Sequence, residues 1–185
     1  KEFLDSCKGA DYAITNLETK PAKKSPSAPF TTSTLQQEAS RKLSFSVTQT
    51  MRGAQTLYEA GYITYMRSDG GILSDQARSQ AKEVIEATYG DEYHKSRQYK
   101  SRNTSAQEAH AAVRPTDLSL SELNDGNMGR NEQRLYDLIW KRTLASQMSD
   151  ARLEKTTVYL EVSTKKAIIK ASGEELKIDG ILEHY

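Results

Sequence analysis

The run Gly61-Tyr62-Ile63-Thr64-Tyr65-Met66-Arg67-Ser68-Asp69 sets a tyrosine two residues before an arginine and four before an aspartate. A tyrosine hydroxyl is a possible covalent nucleophile, and a guanidinium suits a two-pronged grip on a phosphate. If Tyr65 and Arg67 face one pocket, they fit attack on a nucleic-acid phosphodiester, with Asp69 holding the arginine. Tyrosine ordinarily titrates near ~10, so such a nucleophile needs a positive neighbour, a base or a metal-organised site. On spacing alone the commoner arrangement stays open: a buried tyrosine with one hydrogen-bond partner beside an arginine–aspartate surface pair.

Two further segments carry candidates. In Ala106-Gln107-Glu108-Ala109-His110-Ala111-Ala112-Val113-Arg114-Pro115-Thr116-Asp117, helical spacing puts Gln107, His110 and Arg114 on roughly one face. An imidazole there can donate to a phosphate oxygen or shuttle a proton near neutral pH; an ordinary surface helix is the alternative. In Thr31-Thr32-Ser33-Thr34-Leu35-Gln36-Gln37, hydroxyls and free amides at a helix start can receive a DNA phosphate, with Thr31, Ser33, Thr34 and Gln37 as candidates. Simple helix capping is the equal alternative.

These segments need elements to hold them. Residues 1–8 read as a helix end stopped by Gly9, and Asp11 to Lys20 alternates as a strand. Residues 21–29 hold three of the four prolines and read as a connector, because proline lacks an amide donor and restrains its neighbour. A helix with Leu35, Ala39 and Leu43 follows, capped at Ser33 or Thr34, with Ser33 to Gln36 in capping-box form. A second helix, Val47 to Ala60, has Thr48 as its cap, buries Met51, Ala54, Leu57 and Tyr58, and stops at Gly61. The pair resembles a helix-turn-helix. Tyr62 to Tyr65 reads as a short strand or extended turn. Ser74 caps a helix to about Tyr89, residues 91–105 are expected to be irregular and exposed, Ala106 to Ala112 a short helix, and Asn131 to Met148 a long one. Thr157 to Val162 and Lys166 to Ala171 alternate as strands, with a turn at Lys165-Lys166. The expectation is therefore an α+β chain, with a mainly helical domain inserted between strands that pair into one sheet with an open edge.

The 185 residues allow one domain, or one and part of another. Lys+Arg of 26 against Asp+Glu of 25 gives no global charge excess, so nucleic-acid affinity must come from local patches. A single cysteine, Cys7, excludes an internal disulfide and cysteine-cluster metal sites, and suits a reducing compartment. No stretch approaches the ~18 apolar residues of a membrane span. A start at Lys1, with no methionine or signal peptide, reads as a piece of a longer protein.

Taken together, Pro29 to Ala39, Leu57 to Asp69, Ala106 to Asp117 and Arg134-Leu135-Tyr136-Asp137-Leu138-Ile139-Trp140 resemble the bacterial type IA DNA topoisomerases over essentially the whole chain. The resemblance implies that Tyr65 is the nucleophile, attacking single-stranded DNA and joining its 5′ phosphate. It implies that Arg67 positions the scissile phosphate and that His110 contacts DNA phosphate and assists the site. Thr31, Ser33, Thr34, Gln37, Ser68, Asp69, Gln107 and Arg114 would be further DNA contacts. Residues 1–27 and 151–185 would belong to a β-rich arch domain, and 28–150 to a helical domain carrying the tyrosine. The implied activity is relaxation of negatively supercoiled DNA without ATP, by a cytoplasmic, nucleoid-associated bacterial enzyme acting as a monomer.

Magnesium is implied as well, but its acidic domain lies N-terminal to this region in the family, and no Asp-x-Asp cluster is present. No metal site is therefore expected here, and the 185 residues alone are expected to be inactive. Where the family has Thr-Asp-Ser, this chain has Ser68-Asp69-Gly70, which drops one hydroxyl. A non-catalytic DNA-binding or interaction module is the competing function. A tyrosine recombinase or type IB enzyme is disfavoured because His110 and Arg114 follow Tyr65.

Overall fold

The computed structural model describes residues 2–99, 111–123 and 125–178. It is an α+β structure that divides into two compact units, one of Lys1–Ser25 with Asp150–Glu183, the other containing Pro26–Ser149.

The first unit holds the short helix α1 (Glu2–Ser6) and strands β1 (Tyr12–Lys24), β2 (Ala151–Val162) and β3 (Lys165–Ile178). The strands form one antiparallel sheet in the order β1-β2-β3, so the two ends of the chain do pair. All three outrun their hydrophobic patterns. The sheet is held in part by polar cross-strand pairs, such as Thr19 with Thr156 at 3.2 Å and Thr157 with Ser172 at 3.3 Å, which alternation of apolar residues does not reveal. The expected connector at 21–24 is strand. Pro21 pairs opposite Glu154, and β1 is an edge among the described residues, where a missing amide donor is tolerated. The hairpin turn falls at Ser163-Thr164, with Lys165 already in β3; the Ser163 amide donates to the Asp11 carbonyl at 3.0 Å.

The second unit contains α2 (Thr32–Leu43), α3 (Val47–Glu59), α4 (Asp75–Thr88), a 3-10 turn at Asp91–Tyr93, and α5 (Arg130–Ala145). Its core gathers Phe30, Leu35, Leu57, Ile63, Met66, Ile85, Leu135, Ile139 and Leu144, all buried. Gly53 lets α3 approach α5 closely: a Cβ there would meet Leu135 Cδ2 at 3.2 Å. Trp140 donates from Nε1 to the Leu118 carbonyl at 2.9 Å, and Tyr136 from its hydroxyl to Leu120 at 2.6 Å. These bonds fasten the loop that precedes α5 along the helix.

Several local expectations change. The α2 cap is Thr31 and the α3 cap is Ser46, each one residue before the helix begins, where an extended backbone aims the hydroxyl at the first-turn amides. Ser74 caps α4 as expected. The segment after α4 is not simply exposed. Lys95 donates its amide to the Gln147 carbonyl at 2.9 Å, and half-buried Tyr99 donates its hydroxyl to Ser146 at 3.1 Å and to Pro26 at 3.2 Å. It thereby satisfies groups left open at the C-terminus of α5. The helix expected over 106–112 falls largely outside the described residues. Its described end is extended, with bridges from Ala111 to Ile72 and from Val113 to Phe30.

Candidate active site

Tyr65 and Arg67 sit on a loop that begins where α3 ends. Gly61, at φ +81°, supplies the left-handed residue that closes the helix. The loop then runs between two walls within the same unit.

One wall is the extended segment 111–116. Ile63 bridges to Pro115, the Thr64 amide donates to the Arg114 carbonyl at 2.9 Å, and the Thr116 amide donates to Tyr62 at 3.0 Å. The Thr64 hydroxyl donates to the Ala112 carbonyl at 2.7 Å and accepts the Arg114 amide at 3.0 Å. The Ser68 hydroxyl donates to Ala111 at 2.6 Å and accepts the Gly70 amide at 3.2 Å. The other wall is the start of α2. The Thr32 amide donates to the Ser68 carbonyl at 2.8 Å, and its hydroxyl accepts the Ser68 amide at 2.8 Å and donates to the Met66 carbonyl at 2.7 Å.

Pinned on both sides, the loop buries Ile63 and Met66 and exposes Tyr65 and Arg67. Tyr65 is 51% exposed. Its ring meets Tyr58 edge to face, with centroids 5.3 Å apart and planes at 66°. Tyr58, expected in the core, is 41% exposed. It projects beside Tyr65 because the buried face of α3 is built from Thr50, Gly53, Ala54 and Leu57 instead.

A cleft of about 1010 Å³ opens between the loop and α2. Thr31, Ser33, Thr34 and Gln37 line it from α2, and Arg67, Ser68 and Asp69 from the loop. Sequence-separated candidates are thus brought to one surface, although Tyr65 and Arg114 are not among the lining residues. The hydroxyls are more committed than the anion-site expectation assumed. Thr31 and Thr34 form the capping box, at 3.3 and 2.9 Å, and Gln37 donates to Ser33 at 3.3 Å. Arg114 turns back to its own strand, donating from Nη1 to the Pro115 carbonyl at 2.7 Å, and burial pushes its guanidinium below the ordinary value. With 111–114 extended, the helical face expected to join it to Gln107 and His110 does not reach it; those two residues lie outside the described residues.

The cleft also shows residues that spacing did not flag. Glu38, only 7% exposed at its side chain, accepts from Arg41 at 2.6 Å and lies 3.7 Å from both Arg142 and Lys42. Arg142, itself 10% exposed at its side chain, stacks over the Phe30 ring at 4.6 Å. Of these, Arg41 and Arg142 line the cleft with Glu38, so two cations against one carboxylate leave this wall positive, which favours an anion. The i,i+3 and i,i+4 spacing of Glu38 to Arg41 and Lys42 was the available signal; Arg142 had none, being far away in sequence. Among the described residues no three His, Cys, Asp or Glu side chains gather in a metal-binding group, and Glu38 is already engaged by cations. The described residues do not fit a magnesium site.

The sequence model of the DNA topoisomerase family matches residues 1–185. DNA topoisomerase 1 of Zymomonas mobilis is 47% identical over 176 residues, covering 94% of this chain and 14% of its own length. DNA topoisomerase 1 of a Synechocystis strain is 46% identical over 179 residues, covering 96% and 20%. The full-length topoisomerase I of Thermotoga maritima superposes with a TM-score of 0.83 at 35% identity, over 98% of this chain and 31% of that one. The chain therefore spans a fifth or less of those two sequence relatives. With a family-wide match along its whole length and a shared fold, the chain belongs to the bacterial type IA DNA topoisomerases.

Proposed function

We propose that these residues are the part of a type IA topoisomerase that carries the nucleophile, and that Tyr65 is that nucleophile. The observation that carries the reading is an exposed Tyr65 on a loop pinned from both sides, two residues from an arginine that lines a positive cleft. In the proposed step, the Tyr65 oxygen attacks a phosphodiester of single-stranded DNA. A bond forms from tyrosine oxygen to phosphorus as the hydroxyl proton is given up to water, the bond from phosphorus to the 3′ oxygen breaks, and that oxygen takes up a proton to leave a 3′ hydroxyl end. Arg67 holds the non-bridging oxygens and offsets their growing charge. Because the new ester retains the broken bond's energy, attack by the 3′ hydroxyl reverses the step after strand passage, and negative supercoils relax without ATP. His110 is assigned to contact phosphate and assist.

The unit of β1–β3 would belong to the β-rich arch, and the unit of α2–α5 to the helical domain. Magnesium ligands and the acid for the leaving oxygen would come from the rest of the full-length protein, a nucleoid-associated monomer. No step here runs through the metal. Tyr65→Phe in the full-length protein is expected to abolish the covalent DNA adduct and relaxation while DNA binding persists. A non-catalytic module would lose nothing on this change, and an adduct at a 3′ phosphate would overturn the assignment. The 185 residues alone are expected not to relax DNA; relaxation by them with magnesium would refute the division of the site.

A further inference from the structure

We infer that Thr32 is a positioning residue that aims Arg67, through a hydroxyl bracketing the arginine's two chain neighbours. This rests on the proposed role of Arg67. Thr32 sits at the first turn of α2 and was not among the hydroxyls singled out from the sequence. Its Oγ1 donates to the Met66 carbonyl at 2.7 Å, with the Ser68 carbonyl at 3.1 Å, and accepts the Ser68 amide at 2.8 Å. The Thr32 amide returns to the Ser68 carbonyl at 2.8 Å. Residues 66 and 68 are thus both tied to one side chain, while Arg67 between them is exposed and lines the cleft.

A hydroxyl is the only small side chain that can do this. It must donate to one backbone group and accept from another at the same atom. The amide of residue 32 holds Ser68 whatever the side chain, so the register of the loop does not depend on the hydroxyl. What depends on it are the Met66 carbonyl and the Ser68 amide, and with them the peptide planes entering and leaving Arg67. The Ser68 hydroxyl anchors the other side to Ala111. With the Thr32 hydroxyl gone, the peptides on both sides of Arg67 lose a partner and are free to turn while Ser68 itself stays anchored, and the guanidinium leaves its alignment. Misplacement on the scale of an ångström costs about a hundredfold in rate where geometry matters.

The test uses the full-length protein and measures single-turnover cleavage of a single-stranded oligonucleotide, with affinity measured separately in a Tyr65→Phe background. Thr32→Val, which keeps the shape and loses the hydroxyl, is expected to slow cleavage by about ten- to a hundredfold while affinity changes less than about threefold. Thr32→Ser should recover most of that loss, and Thr32→Ala repeats the test should valine fold poorly. In an Arg67→Ala background, Thr32→Val should cost nothing further, because its effect passes through the arginine. An equal additional loss in that background, or a wild-type rate for Thr32→Val, would overturn the inference. A wild-type rate for Arg67→Ala itself would instead overturn the role of Arg67, so the two failures are distinguishable.

Discussion

Replacing Glu38 with Gln removes one charge at constant shape, and the structure sets the size of the effect. Arg41 is 73% exposed at its side chain, so its bond to Glu38 counts as a surface pair, about 0–1 kcal/mol. Arg142 is different, with 10% of its side chain exposed and its guanidinium 3.7 Å from the carboxylate. At an effective dielectric of about 20 the gross attraction at that distance is about 4 kcal/mol, and desolvation offsets much of it. Removing one partner of a buried pair typically costs about 3–5 kcal/mol, because a charge is left behind. Here Arg142 keeps its stacking on Phe30 and its edge of the cleft, so the cost should fall just below that range, at about 2–3 kcal/mol. Trp140 is the sole tryptophan, is 7% exposed, and lies in the helical unit. Its fluorescence therefore reports that unit alone during urea unfolding. With a slope of about 1.5 kcal/mol/M, the midpoint should fall by roughly 1.5 M, and Glu38→Gln combined with Arg142→Met should recover most of it. A shift below about 0.3 M would mean that Arg142 is well solvated without Glu38, and the reasoning fails.

The Thr64 hydroxyl should prove structural: Thr64→Val removes its bonds to Ala112 and Arg114 and should cost about 2 kcal/mol, read from the same fluorescence titration. Acid should act through His94. Burial holds its imidazole below the ordinary value, and the Glu86 carboxylate 4.0 Å away only partly opposes this. On acidification the unfolded chain then takes the proton first, so this contribution is complete above about pH 6.5 and lost as pH falls from there toward the folded value. Thermal melts followed by Trp140 between pH 7 and 5 should show the decline, and His94→Gln should flatten it; an unchanged slope in the variant would remove His94 as the cause.

What could be read in advance followed physical locality. Ser74 before an apolar-periodic run announced α4, and Gly61 after Ala60 announced the end of α3, since caps act within one turn. Cap identity was harder at α2, where four hydroxyl residues in succession each satisfy the pattern and only the backbone at Thr31 decides. The strands were underestimated because Thr19, Thr156, Thr157 and Ser172 pair through hydroxyls and leave no apolar signature. In the cleft, Arg67 and Gln37 were visible as chemistry in the chain, whereas Arg142 joins Glu38 across the tertiary fold. Thr32 was visible only as one hydroxyl among several; its attachment to Met66 and Ser68 is a property of the folded loop.

The pairing of Lys24 with Ala151 has a consequence for how the chain folds. These partners flank the helical unit in sequence, so forming the β1–β2 ladder first would close an unstructured loop of roughly 125 residues, at about 4 kcal/mol beyond the constant term. If the helical unit condenses first around Phe30, Leu57 and Leu135, its own core brings the ends of that stretch under constraint and the ladder closes at far smaller entropic cost. The expected order is helices before sheet, with the ladder zipping from the Lys24–Ala151 end toward Tyr12 and Val162. The strand partners nearest the helical unit would then protect their amides earliest, even though they border the region that interrupts the sheet in sequence.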